Sequence, residues 1–247
     1  AAGTAVTTGI QNTFVGADAG DATTTGGYNT AVGKDALGAN TTGGHNVAVG
    51  RLALKSNTTA NNNVSVGNET LNANTTGTSN TAVGHAALLA NTTASNNTAV
   101  GFYALKAITT GTQNAAVGTY AGTALTTTGA NAVFGYDALK RATTSDNTTC
   151  IGHNAGAYIT TSNNNTCLGK NAGAYIVNLT TGANNTILGS YASTSTATTD
   201  NANAIGQGVQ SATDYTTIGV SSNDIRAANG TATWAAVSDQ RYKKDIA

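Results

Sequence analysis

The sequence predicts an all-β fold, a parallel β-solenoid built from coils of 17 residues. A glycine recurs every 17 residues from Gly16 to Gly169, and the residue before it is always apolar and mostly β-branched, which favours strands. Between these sites the chain is rich in Asn, Thr and Gly, the residues of turns, and no helical apolar period is present. Each repeat is therefore expected to form one coil of a stack.

The composition excludes several classes of protein. The 247 residues contain 30 Gly, no Pro and only 9% charged residues, and 11 basic residues balance 11 acidic ones. The sequence thus provides no overall basic field for nucleic acid, and no apolar run reaches the roughly 18 residues that span a bilayer. We expect no nucleic-acid partner and no membrane insertion.

Each position of the repeat becomes a column when the coils stack. Asn stands four residues before the glycine, where stacked amides can donate and accept hydrogen bonds along the stack. Val, directly before the glycine, is the most consistently apolar column, and Leu, four residues after it, gives way to Gly at Gly122, Gly156 and Gly173. We expect Val, Leu and Ala to supply the interior. The predicted structural columns comprise Asn29, Asn46, Asn63, Asn80, Asn97 and Asn114; Val32, Val49, Val66, Val83 and Val100; and Gly33, Gly50, Gly67, Gly84 and Gly101.

The interior of one coil is small. About one Val, one Leu and a few Ala contribute a few kcal/mol at about 25 cal/mol/Å², against roughly 1 to 2 kcal/mol of backbone entropy per ordered residue. Because a single stack would be marginal, we expect several chains to pack side by side, with their Ala, Leu and Gly columns buried between them. A homotrimeric fibre is the expected assembly.

The strand motif carries a resemblance to fibrous proteins. Asn-Thr-Ala-Val-Gly followed by Ala-Leu, over about residues 12–206, resembles repeats of bacteriophage tail fibres and the head repeats of trimeric autotransporter adhesins. The resemblance implies a virion tail fibre that contacts a receptor on the host cell, which would place the protein outside the cell. A bacterial adhesin head is the alternative.

The C-terminal segment, from Ser238 to Ile246 in the sequence Ser-Asp-Gln-Arg-Tyr-Lys-Lys-Asp-Ile, resembles a second family. It is similar to the opening of the intramolecular chaperone domain of endosialidase-type tail spikes, which trimerises, guides folding and then cleaves itself off. The resemblance implies that Ser238 is the nucleophile at the junction and Lys243 its partner. Since the rest of such a domain does not follow in this sequence, we expect neither cleavage nor any other enzymatic activity. The predicted organisation is a repetitive shaft (1–190), an irregular β-rich segment (191–237) and the start of the chaperone (238–247).

Aromatic and sulfur side chains supply the other candidate sites. Exposed rings can serve as platforms for sugars, although such rings also stack to seal interfaces; the candidates for receptor contact are Tyr103, Tyr120, Tyr158 and Tyr175. Cys150 and Cys167 share one column, and we expect two small buried thiols rather than a disulfide. No cofactor or metal motif is present in residues 1–237.

Pairs of threonine support a third hypothesis, ice binding. Ranks of Thr on a flat β-solenoid face are typical of ice-binding proteins, and Thr pairs recur here in register. Against this function, the pairs lie beside Gly or Ala in a predicted turn, and a thermal hysteresis measurement would test it. The pairs are Thr41-Thr42, Thr58-Thr59, Thr75-Thr76 and Thr92-Thr93.

Overall fold

The computed structural model describes residues 1–221 and 223–230 and the backbone of 235–236. The described residues form strands and turns, with no helix among them, so the prediction of an all-β fold is confirmed. Most coils contain a single three-residue strand. These strands are β1 (Thr13–Val15), β2 (Thr30–Val32), β3 (Val47–Val49), β4 (Val64–Val66), β5 (Thr81–Val83), β6 (Thr98–Val100), β7 (Ala115–Val117), β8 (Ala132–Phe134), β9 (Thr149–Ile151), β10 (Thr166–Leu168), β11 (Thr186–Leu188) and β13 (Asn203–Ile205). The remaining strands are β12 (Ser193–Thr194), β14 (Gln210–Ser211), β15 (Tyr215–Val220), β16 (Asn223–Ala228) and β17 (Ala235–Ala236).

Neighbouring strands pair in parallel with the register that the repeat predicts. Thr30 lies opposite Val47 and Val32 opposite Val49, and the same offset relates every successive pair from β1 to β7. The turns are also joined between coils. The amide of Gly50 donates to the carbonyl of Val32 at 2.8 Å, and the amide of Thr58 donates to that of Thr75 at 3.1 Å. Backbone amides and carbonyls of the turns thus find hydrogen-bond partners in adjacent coils, although the strands are only three residues long.

The chain divides into two compact units, Ala1–Val133 and Phe134–Ala247. In the first unit the strands stack in parallel from β1 to β7. In the second unit parallel pairing runs from β9 through β10, β11 and β13 to β15, and so continues past residue 190, where the sequence suggests an irregular segment. Pairing becomes antiparallel between β15 and β16 and between β16 and β17.

The interior is formed by the middle residue of each strand and by the Ala-Leu pair that follows the glycine. Ala31, Ala36 and Leu37 all have 0% exposure. The buried leucines adopt left-handed backbone angles, with φ of 53° at Leu37 and 50° at Leu54, a conformation that is unfavourable for residues with a Cβ. Glycine can replace leucine in this column because glycine adopts the left-handed angle freely. For leucine, burial of the side chain offsets the cost of the same angle.

Where glycine replaces leucine, other side chains fill the interior. A Cβ added to Gly122 would lie 3.0 Å from Leu105 Cδ2 and 3.1 Å from Leu125 Cδ1. At Gly156, an added Cβ would lie 3.0 Å from Ile159 Cδ1. Side chains from other columns thus occupy the space beside these glycines.

The prediction that the Val column supplies the interior is wrong. Successive side chains of a strand point to opposite faces, so burial of the middle residue turns the Val column outward. Val15 is 55% exposed and Val117 37% exposed. The sequence was ambiguous here because Val is more apolar than Ala, yet the space behind the strand accepts mainly small residues such as Ala31, Ser65 and Cys150, all with 0% exposure.

The prediction that Ala and Leu columns are buried between chains is also wrong, because both columns are already buried within one chain. The Gly column is half-exposed, and its backbone lies close to the neighbouring coil. Gly33 has a φ of +132°, and a Cβ added to it would lie 2.6 Å from the carbonyl oxygen of Gly50 and 2.7 Å from its carbonyl carbon. Any side chain in this column would therefore collide with the backbone of the next coil.

Candidate functional site

An apolar face runs along the outside of the strands in the first unit. We define it as the Val column together with the first strand residue of each coil, which also points outward. The Val members range from half-buried to 55% exposed, and regular apolar surface of this kind is characteristic of interaction sites. The face comprises Thr13, Val15, Thr30, Val32, Val47, Val49, Val64, Val66, Thr81, Val83, Thr98, Val100, Ala115 and Val117.

Inside the same coils, the predicted Asn column forms a hydrogen-bonded ladder. The side-chain oxygen of Asn46 accepts from the backbone amide of Asn63 at 3.0 Å and from its Nδ2 at 3.3 Å. Nδ2 of Asn63 also donates to the carbonyl of Gly77 at 2.9 Å. Each buried amide therefore ties its own coil to both neighbours, so this column stabilises the coil and is not available to a ligand.

A second Asn ladder, absent from the sequence-based prediction, lies seven residues after the glycine. Nδ2 of Asn57 donates to Oδ1 of Asn40 at 3.0 Å, and Asn74 and Asn91 continue the series at 3.0 Å and 2.7 Å. Oδ1 of Asn91 is buried without a hydrogen-bond partner, because the next residue in the column is Ile108. The interior thus changes from polar to aliphatic at this coil.

The two threonines of each pair have different environments. The hydroxyl of Thr41 donates to the carbonyl of Thr58 at 3.0 Å, and that of Thr58 donates to Thr75 at 3.2 Å, so the first threonine stabilises the stack. The second threonine is exposed, as at Thr42 and Thr59. Only the second column therefore presents a solvent-facing rank of hydroxyl and methyl groups.

Two of the predicted tyrosines belong to an aromatic cluster in the first unit. The ring centroids of Tyr103 and Tyr120 are 5.8 Å apart. Phe102 is 39% exposed, and its ring centroid lies 4.0 Å from that of Tyr103. His85 stacks on Phe102 at 5.3 Å, and Nζ of Lys106 lies 4.1 Å from the Tyr103 ring centroid. The rings pack mainly against one another, with Phe102 as the most solvent-facing member of the cluster.

The other two predicted tyrosines lie in the second unit. Arg141 covers the ring of Tyr158, with 4.5 Å between the guanidinium carbon and the ring centroid. Tyr175 is 53% exposed and its ring packs edge-on against Tyr191 at 4.5 Å. Tyr158 lies in an open cleft with Asp137, Lys140 and other polar residues, whereas Tyr175 lies outside that cleft.

Cys150 and Cys167 lie opposite each other in β9 and β10, as free and fully buried thiols. The pKa of the Cys150 thiol is well above its ordinary value, because its hydrogen bond with Cys167 and its burial both favour the protonated form. These thiols are therefore suited to packing and not to nucleophilic chemistry.

The predicted cleavage residues Ser238 and Lys243 lie outside the described residues. Within the part of the chain that the structure describes, no three His, Cys, Asp or Glu side chains are grouped so that they could hold a metal ion. No helix in that part is long and apolar enough to cross a membrane.

The stacked coils and outward columns define a parallel β-solenoid repeat protein. Comparison of the chain with protein-family models, curated proteins and solved structures found no match.

Sequence reasoning missed the outward orientation of the apolar face and the polar partners of Tyr158. The signal for the second was present, because Arg141 and Tyr158 are 17 residues apart, as are Asp137 and Asn154. In the 17-residue repeat these four residues fall in two columns of two adjacent coils.

Proposed function

We propose that the chain is the shaft of a virus tail fibre, a homotrimer that projects from the virion and contacts the host cell surface. A C-terminal chaperone, whose opening the segment after Ser238 resembles, would be removed during maturation. The observation that carries the proposal is the apolar face. Since the Ala and Leu columns are buried within one chain, this face is the apolar surface of the first unit that we expect other chains to cover.

Physical considerations favour self-association through this face. It repeats with the coil period, so a second copy of the chain, with the same period, can match it along its whole length. The side chains of this strip are small or β-branched, which permits close parallel contact between chains. Three faces meeting around a common axis would bury all of them, in line with the closed symmetry that most homo-oligomers adopt.

Mass measurement tests the assembly directly. Light scattering coupled to size-exclusion chromatography should give three times the 24.4 kDa of one chain. A monomer at micromolar concentration would contradict the proposal.

A pair of variants tests the interface. Val83→Glu places a charge on the apolar face and should dissociate the trimer, whereas Thr93→Glu, in the exposed Thr column, should leave it intact. Circular dichroism of both variants would verify that the coils are still formed. Equal oligomeric states of the two variants would show that the apolar face is not the interface.

Attachment to cells tests the adhesive part of the proposal. Fluorescently labelled protein should bind the surface of particular strains in a panel of bacteria, and unlabelled protein should compete with it. A bacterial adhesin head, the alternative function, would share the trimer but would be expected to bind surfaces other than those of bacterial hosts, such as matrix proteins. Absence of binding to any bacterial strain by a verified trimer would argue against the fibre function.

Ice binding is the third hypothesis, and it is favoured by the outer Thr column, which is exposed and in register. It predicts thermal hysteresis at micromolar to millimolar protein, abolished by substitution of Thr42 and Thr59. The tail-fibre function predicts none.

A further inference from the structure

The second unit contains a polar cleft that the apolar face and the ladders do not use. Its volume is about 230 Å³, which is smaller than the roughly 300 to 1,000 Å³ of sites for drug-sized ligands and suits a single sugar ring. The cleft is lined by Asp137, Lys140, Arg141, Asn154, Ala157 and Tyr158.

Two adjacent coils build the cleft from equivalent positions. Asp137 and Asn154 stand two residues after the glycine, with left-handed φ angles of 54° and 58°, a conformation that Asp and Asn tolerate better than most residues. Arg141 and Tyr158 stand six residues after it. The turn between these positions wraps around the buried fourth residue, Leu139 or Gly156, so the two columns form the walls of a groove.

The charges of the cleft do not cancel. Nζ of Lys140 lies 2.8 Å from Oδ2 of Asp137, which pairs these two groups. Arg141 is exposed and lies over the Tyr158 ring, and no ion pair joins it to a carboxylate among the described residues. The cleft therefore retains one positive charge, on a planar group suited to bidentate contact with a carboxylate.

Two polar side chains of the cleft can bind hydroxyl groups. Oδ1 of Asp137 is buried, so a ligand in the cleft would reach this carboxylate at Oδ2, which also accepts from Lys140. A hydroxyl group can donate to a carboxylate oxygen, and the amide of Asn154 can donate to or accept from a neighbouring hydroxyl. A ligand that matches the cleft thus combines hydroxyl donors with a carboxylate.

We infer that this cleft binds a sugar that carries a carboxylate, such as a hexuronate unit of a cell-surface polysaccharide. The inference rests on the proposed host-contacting function and specifies the chemistry of one receptor contact. The carboxylate pairs with Arg141, a ring hydroxyl donates to Asp137, and Asn154 contacts an adjacent hydroxyl. The Tyr158 ring supplies an apolar wall beside the sugar.

A matched pair of ligands tests the inference on the full 247-residue chain. Methyl β-glucuronide and methyl β-glucoside differ only in the carboxylate or hydroxymethyl group at C6. In titrations followed by NMR, the glucuronide should bind about tenfold more tightly, the ratio expected for one charge-assisted hydrogen-bonded contact. Equal binding of the two ligands, or no binding of the glucuronide at millimolar concentration, would overturn the inference.

Variants assign the binding to the cleft. Arg141→Gln should bring the glucuronide down to the affinity of the glucoside, and Asp137→Asn should weaken both ligands. Arg51→Gln is the control, since Arg51 is an exposed cation of the first unit whose Nη1 lies 3.1 Å from Glu69. A loss of preference in Arg51→Gln as large as that in Arg141→Gln would show that general charge, and not the cleft, attracts the ligand.

Two further arms separate this inference from its alternatives. Sodium acetate that displaced the glucuronide at equal concentration would show that the site recognises an anion and not a sugar, and would overturn the inference. Cell attachment that persists unchanged in Arg141→Gln, together with no glucuronide binding, would leave the fibre function standing and refute the cleft. Glucuronide binding by a protein that is monomeric and does not attach to cells would support the cleft and refute the fibre function.

Discussion

Replacing Asn63 by Asp changes one atom group at the centre of the Asn ladder. Nδ2 of Asn63 donates to Oδ1 of Asn46 at 3.3 Å and to the carbonyl of Gly77 at 2.9 Å. In Asn63→Asp an oxygen takes the place of this nitrogen and faces two acceptors. Oδ1 of residue 63 can still accept from the backbone amide of Asn80, as it does at 3.0 Å in the natural chain. The variant therefore isolates the donor half of one rung.

The cost follows from burial of the rung. Asn63 has 0% exposure, so an ionised carboxylate there has lost its water and has no compensating cation among the described residues around it. Leaving a buried charge unpaired costs about 3 to 5 kcal/mol. For a chain of this length that free energy corresponds to a fall in melting temperature of roughly 6 to 20 °C.

The stability of the Asn63→Asp variant should depend on pH. Protonation turns the new oxygen into a donor that can bond to the Gly77 carbonyl, so the folded protein raises the pKa of Asp at position 63 above its unfolded value of about 3.9. The folded state then binds more protons than the unfolded state, and stability falls as the pH rises. The difference in melting temperature from the natural chain should be small near pH 3 and grow from about pH 4 until the raised folded pKa is passed.

The neighbouring Asn62→Asp variant is the matched control. Asn62 is exposed and has a left-handed φ of 60°, which Asp also tolerates. It should melt within about 2 °C of the natural chain at every pH. Thermal unfolding followed by circular dichroism from pH 3 to pH 8 measures both variants. Equal melting curves for the two, or a deficit in Asn63→Asp that does not change with pH, would refute the assignment of the ladder as a buried, donor-dependent contact.

Three other predictions follow from the coil. Gly67→Ala should lower the free energy of unfolding by more than about 3 kcal/mol, because the φ of Gly67 is +133° and the new Cβ would lie 2.8 Å from the carbonyl oxygen of Gly84. Gly38→Ala should be tolerated in the same melting assay, since its new Cβ would lie 3.3 Å from the nearest atom, the carbonyl oxygen of Asp35. Leu54→Gly should be more stable than Leu54→Ala by about 1 kcal/mol in urea unfolding, since only glycine adopts the left-handed angle freely; the opposite order would contradict that reasoning. The two thiols should resist a thiol reagent at pH 8 in the folded chain and react fully in denaturant, and rapid labelling of the folded protein would show that they are accessible.

The sequence predicted what depends on spacing alone. A strict 17-residue period fixes the register of the strands and brings equivalent residues together, so the parallel pairing and the stacking of Asn29 on Asn46 follow without knowledge of the interior. Which face of a three-residue strand points inward does not follow from spacing. It depends on how much space lies behind the strand once side chains from the turns, such as Leu37, have filled the interior. That space accommodates Ala31, so Val32 points outward.

The ends of ladders and the polar cleft were harder to predict for a different reason. Both depend on a change of residue type between one coil and the next, such as Asn91 followed by Ile108, or Leu139 followed by Gly156. A repeat consensus averages such changes away. They are nevertheless where buried atoms lose partners and where surface groups of different chemistry meet.

The coil separates the residues that hold the fold from those that can vary. The Asn, Ala, Leu and Gly columns are each restricted by a ladder, by burial, by a left-handed angle or by contact with the next backbone. The position two residues after the glycine is restricted only by its left-handed angle, and it is occupied by residues as different as Leu52, Glu69, Tyr103 and Asp137. Residues at such positions can be replaced with little loss of stability, because side chains differ only slightly in their preference for the left-handed angle. A recognition site built on them can therefore change its ligand without changing the fold. The cleft at Asp137 and Asn154 uses this freedom, because its walls come from variable positions while the coil behind them is held by buried Ala138 and Ala155.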